Sequence, residues 1–87
     1  MPTFQVTLTR TARRDLRALP RNVLKRVDCR ILALEKDPLP PGVEKLTGKK
    51  DLFRVRVGSC RILYRIERGE LLVLVIRVRH RREVYRL

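Results

Sequence analysis

Asp51-Leu52-Phe53-Arg54-Val55-Arg56-Val57-Gly58-Ser59-Cys60-Arg61-Ile62-Leu63-Tyr64-Arg65-Ile66 decides the fold. Its first part alternates with period two, so Phe53, Val55 and Val57 share one face of a strand while Arg54 and Arg56 share the other. Gly58-Ser59 is a two-residue turn signal. In the returning strand Ile62, Tyr64 and Ile66 lie on the apolar side and Arg61, Leu63 and Arg65 on the other. A loop holding only Gly58 and Ser59 pairs Val57 with Cys60 and sets Arg56 opposite Arg61. Like charges directly across a strand pair are destabilising on a scale of roughly 0.2–1 kcal/mol, so this spacing predicts an anion between them.

The pattern continues on both sides. Arg68-Gly69 marks a second turn, and Leu71 to Ile76 reads as a buried central strand, completing a three-strand antiparallel meander. Upstream, Phe4, Val6 and Leu8 alternate with Gln5 and Thr7, predicting a strand at about residues 3–8. Thr9 or Thr11 is placed to cap a helix carrying Ala12, Leu16 and Leu19 on one side and ending near Leu19. Pro20 opens a second helix, in which Val23, Leu24, Val27, Ile31 and Leu34 extend the apolar stripe to about Lys36 before Asp37-Pro38 stops it. Residues 37–50 hold Pro38, Pro40, Pro41, Gly42 and Gly48 and read as a connecting loop pinned by Val43 and Leu46. From His80 onward a short helical or frayed tail is expected. The fold class is therefore α+β, a single domain over residues 1–87. A helical hairpin covers one face of a small sheet and leaves the arginine face open.

Composition supports a polyanionic partner. The 87 residues carry a formal net charge of +13, and 17 of the 22 basic residues are Arg. Arg offers a planar, bidentate fork for phosphate or carboxylate. From Arg54 onward ten Arg and no Lys face only Glu67, Glu70 and Glu83. Cys29 and Cys60 fit no metal spacing, and each reads as a small core residue in a reduced, cytoplasmic chain. No apolar run approaches the roughly 20 residues of a membrane helix, and no signal-peptide layout precedes the first strand. Glycine-loop phosphate grips, Cys/His ligand sets and Ser/His/Asp constellations are all missing, so an enzyme reading rests on basic residues and tyrosine, with no cofactor or metal.

Such residues suit RNA cleavage by the ribose 2′-OH, which brings its own nucleophile. That reaction needs a proton acceptor, cations around the phosphorane-like charge, and a donor for the departing 5′ oxygen. Arg56 and Arg61 can clamp the phosphate. Arg81 and Tyr85, four residues apart, project together from a helical tail; Tyr85 can stack on a base or lend its hydroxyl, and Arg81 can support the leaving group. His80, the one histidine, is a candidate for proton transfer or substrate contact.

The order and spacing of Leu46-Thr47-Gly48, Phe53-Arg54-Val55-Arg56-Val57, Cys60-Arg61-Ile62-Leu63-Tyr64, Val75-Ile76-Arg77-Val78 and His80-Arg81-Arg82-Glu83-Val84-Tyr85 resembles the RelE-type toxins of bacterial and archaeal toxin–antitoxin pairs, within the RelE/ParE superfamily. The resemblance spans essentially the whole chain. It implies a RelE-like fold and an mRNA endoribonuclease acting in the ribosomal A site by 2′-OH attack to leave a cyclic phosphate. Arg54, Arg56, Arg61, Arg81 and Tyr85 take the positions of the site residues. It also implies a cognate acidic, RelB-like antitoxin, with operator DNA bound through that antitoxin. Family members often carry lysine where this chain has Arg54 and Arg56, and lysine is the more readily deprotonated. Two other readings stay open. One is a ParE-type poison of DNA gyrase; the other is a non-catalytic RNA- or ribosome-binding module.

Overall fold

In the computed structural model, which describes residues 3–80, the chain runs β1 (Gln5–Leu8), α1 (Arg10–Arg17), α2 (Arg21–Ala33), β2 (Glu44–Lys45), β3 (Leu52–Val57), β4 (Cys60–Glu67) and β5 (Leu72–His80). The strands form one sheet in the order β1-β5-β4-β3-β2. β3, β4 and β5 make the antiparallel meander, and β1 lies parallel to β5 at the edge. The helices leave β1 and cover one face, as a parallel pairing requires of the chain that crosses over.

Local chemistry sets the helix ends. Thr9 is the N-cap of α1: its Oγ1 accepts from the Ala12 amide at 3.0 Å and donates to the Ile76 carbonyl at 2.7 Å. One hydroxyl thus fixes both the first turn of α1 and its seat on β5. α1 stops at Arg17, two residues short of the expected end, and α2 stops at Ala33 with Leu34 as C-cap rather than reaching Lys36. At the far end of the hairpin the Phe4 amide donates to the Glu35 carbonyl at 2.7 Å, tying the start of β1 to the exit of α2.

One apolar core lies between the helices and the sheet. It joins Ala12 and Leu16 of α1, Val27, Ile31 and Leu34 of the α2 stripe, Phe53 and Val55, then Ile62, Tyr64 and Ile66, and finally Val73, Val75 and Val78. Burial of each such aliphatic side chain contributes about 1.5–3 kcal/mol. Phe53 and Tyr64 pair across the strands with ring centroids 6.0 Å apart, and the Tyr64 hydroxyl donates to the Pro38 carbonyl at 2.7 Å. That bond pins the proline-rich loop beneath the sheet.

Three expectations need correction. Residues 37–50 are not wholly loop, because Glu44 and Lys45 pair with Arg54 and Phe53 as the short edge strand β2. Two residues carry no periodicity that a sequence can display. Cys29 is exposed, not core, while Cys60 is buried. Cys29 stands two positions past Val27 on α2, about 200° around the helix from the buried stripe. The last strand runs Leu72–His80, past the expected end at Ile76 and through His80, while the second turn falls at Arg68 as expected, as a 3-10 segment, Arg68–Glu70, closed by Leu71 in the left-handed region at φ 50.

Candidate nucleic-acid interface

Strand register builds the site. β3 and β4 pair Val57 with Cys60 and Arg56 with Arg61, as the two-residue turn requires. Gly58 takes φ +57 and makes the turn possible; a Cβ there would lie 3.3 Å from the Arg26 guanidinium. Since Cys60 and Ile62 are buried against the helices, Arg61 between them faces the open side, with Arg56 beside it. Arg54 lies two residues back on the same face, opposite Leu63, and is engaged by Glu44 of β2 at 3.4 Å. Among the described residues no carboxylate reaches Arg56 or Arg61 within ion-pair distance.

The cationic surface extends beyond the sheet. Between α2 and the β3–β4 turn lies an open groove of about 510 Å³, lined by Lys25, Arg26, Arg30, Arg56, Val57 and Gly58 among others. Arg56 pairs with Arg61 on the arginine face and also lines this groove. The helix cations were missed in reading the sequence because they appear there only as the solvated side of an amphipathic helix.

A second missed residue is Asp15, the buried carboxylate of α1. Its Oδ2 accepts from the Val78 amide at 2.9 Å and from Arg77 Nε at 2.9 Å, and its Oδ1 accepts from Arg77 Nη2 at 3.3 Å. β1 pairs with β5 only as far as Val75, so beyond it Asp15 stands in for the missing strand neighbour. At the same place the β4–β5 register slips: Leu63 faces Arg77 but Tyr64 faces Val75, leaving Ile76 as an extra residue. Nothing in the local sequence signals a bulge held by a residue more than sixty positions away.

His80 closes β5. The ladder pairs it with Cys60, not with Arg61, and its Nε2 lies 3.2 Å from Ser59 Oγ. Its position therefore belongs to the turn end of the sheet and shares the face of Cys60, opposite the face that carries Arg56 and Arg61. Arg81 and Tyr85 lie outside the described residues. Tyr64 has a proton affinity that clearly departs from the usual: burial, with the Asp37 carboxylate nearby, pushes its hydroxyl up to about 12. It is locked in the core and takes no part in the surface.

Residues 6–85 match the family described as the ParE toxin of the type II toxin–antitoxin system parDE. The toxin RelG of Mycobacterium tuberculosis is 37% identical over 84 residues, covering 95% of this chain and 97% of RelG. Among solved structures, the RelBE2 toxin–antitoxin complex of the same organism has a chain 35% identical with a TM-score of 0.80, covering 91% of this chain and 99% of that one. The archaeal RelE–RelB complex from Pyrococcus horikoshii has a chain 26% identical with a TM-score of 0.81, covering 91% and 96%. The chain belongs to the RelE/ParE superfamily of type II toxin–antitoxin toxins, with its resemblance on the RelE side.

Proposed function

We propose that this toxin is a ribosome-dependent mRNA endoribonuclease that cuts a codon in the A site, in the cytoplasm, and that a cognate acidic RelB-like antitoxin neutralises it. The observation that carries this reading is the cross-strand pair Arg56 and Arg61 on an open sheet face, two like charges without a carboxylate between them among the described residues. A phosphodiester is the ligand that relieves their repulsion and matches their fork geometry. The 2′ oxygen attacks phosphorus, the bond to the 5′ oxygen breaks, the 2′ proton leaves to a base, and the 5′ oxygen gains a proton. Arg56 and Arg61 hold the developing charge, with Arg54 beside them. Arg81 and Tyr85 act on the leaving-group side or against a base. Arginine stays protonated, so the 2′ proton must pass to another group. His80, an imidazole at the end of β5, is the candidate for that step or for a substrate contact. The route needs no metal because its nucleophile is part of the substrate.

The antitoxin follows from the same electrostatics. An acidic, partly disordered chain meets a +13 surface favourably and covers the arginine face. The names RelE–RelB and RelBE2 carried by similar complexes support that partner. Operator DNA is, on this proposal, engaged through the antitoxin.

Inducing the toxin and mapping 3′ ends on translated and untranslated copies of one mRNA tests the reading. Cuts within codons of the translated copy alone are expected, and Arg61→Ala should abolish them with the fold intact. The family description names the ParE toxin, which keeps open the alternative of a gyrase poison. Growth arrest with intact transcripts and inhibited supercoiling would establish that instead, and translation arrest with neither would mark a non-catalytic binder.

A further inference from the structure

We propose that Arg79 is a third phosphate-binding arginine of this interface, put there by the bulge in β5; the inference rests on the RNA-cleaving reading and extends its substrate contacts along the strand. The ladder that pairs Arg56 with Arg61 continues to pair Arg61 with Arg79. Three guanidinium groups from three adjacent strands thus form one row across the open face. Strands lie about 4.8 Å apart, so the outer two Cα positions are separated by about 10 Å, a span that reaches more than one phosphate of a single strand.

The row depends on the irregularity at Ile76. In β5 Val73 and Val75 point into the core, and unbroken alternation would turn Arg77 and Arg79 inward while exposing Val78. The extra residue resets the alternation, and Val78 is buried, 1% exposed. Arg79 then shares the face of Arg61. The reset is held from outside the sheet: the Asp15 carboxylate grips the Arg77 side chain and the Val78 amide, and the Thr9 hydroxyl donates to the Ile76 carbonyl. Arg77, its neighbour in sequence, is thereby occupied by Asp15. Among the described residues no carboxylate comes within ion-pair distance of Arg79. An arginine kept inside a like-charged row, beside another that is neutralised, fits a binding role better than a structural one.

The test measures affinity of the full chain for a short single-stranded RNA made uncleavable by 2′-deoxy substitution, across a salt series. Arg79→Ala should weaken binding roughly 10–100-fold, and the slope of log affinity against log salt should fall by about 0.7, one phosphate contact on a single strand. Arg79→Lys should keep the slope and lose part of the affinity, since the charge stays and the fork goes. Arg14→Ala, on the exposed side of α1, removes the same charge from elsewhere and serves as the reference. If Arg79→Ala behaves like Arg14→Ala while Arg56→Ala and Arg61→Ala bind weakly, the third position is wrong and the two-arginine site stands. If none of the three exceeds the reference, or the parent binds no RNA, the RNA site itself falls. Equal melting temperatures across the variants exclude unfolding as the cause.

Discussion

Replacing Tyr64 by phenylalanine removes one oxygen atom from the middle of the molecule. That oxygen donates to the Pro38 carbonyl, so the substitution should cost about 1 kcal/mol at neutral pH. The pH dependence is more diagnostic. The hydroxyl is held at about 12 in the folded chain against 10.0 ordinarily, first by burial and then by Asp37. Below about pH 10 both folded and unfolded chains hold the proton, and the contribution is fully present. Between about 10 and 12 the unfolded chain ionises first, so stability falls by up to about 1.4 kcal/mol per pH unit. Denaturant melts at pH 9 and pH 11 should show the parent losing more than Tyr64→Phe; equal losses in the two proteins would rule Tyr64 out as the titrating group.

At the scale of elements, Asp15 is where β5 is made or lost. Asp15→Ala strands the buried Val78 amide and frees Arg77, and should destabilise the chain by about 2–3 kcal/mol. Asp15→Asn keeps an oxygen for the amide and should cost less. Amide exchange reads the difference locally: Val78 should lose protection in the alanine variant before the β3–β4 pairs do, and uniform loss across the sheet would deny Asp15 its local role. The same element marks the limit of what a sequence discloses. Arg56 opposite Arg61 was legible because a two-residue turn fixes register by counting. The apolar face of β3 and β4 and the stripe of α2 were legible because period two and period 3.6 are local. Arg79 was not, since its facing depends on a bulge fixed by Asp15 and Thr9 across the fold. Glu44–Lys45 was too short to show a period, and Cys29 looked apolar by type while its angle on α2 turned it outward.

The whole molecule is a small body of radius of gyration 12.5 Å carrying a formal net charge of +13. Within the described residues its ion pairs are few, and the arginine partners of Glu44, Asp51 and Asp15 are all at least 36% exposed. Repulsion therefore outweighs pairing in the folded state. Raising NaCl from about 0.05 to 0.5 M shortens the screening length from roughly 14 to 4 Å and should raise the melting temperature. A falling melting temperature would mean that attractive pairs, not the net charge, dominate.

The parallel seam between β1 and β5 has a consequence in time. The Thr9 hydroxyl meets a carbonyl 67 positions further along the chain, and among the described residues β1 has no strand partner other than β5. The helices form from neighbouring residues, but the edge strand waits for almost everything that follows it. Folding is correspondingly slow beside a helical bundle of similar size, because a long loop must close before any contact rewards it. A nascent chain that has emerged only as far as β4 has Arg56 and Arg61 but neither the strand that flanks them nor the latch of α1. A ribosome making this protein therefore holds an unassembled interface until β5 has been translated.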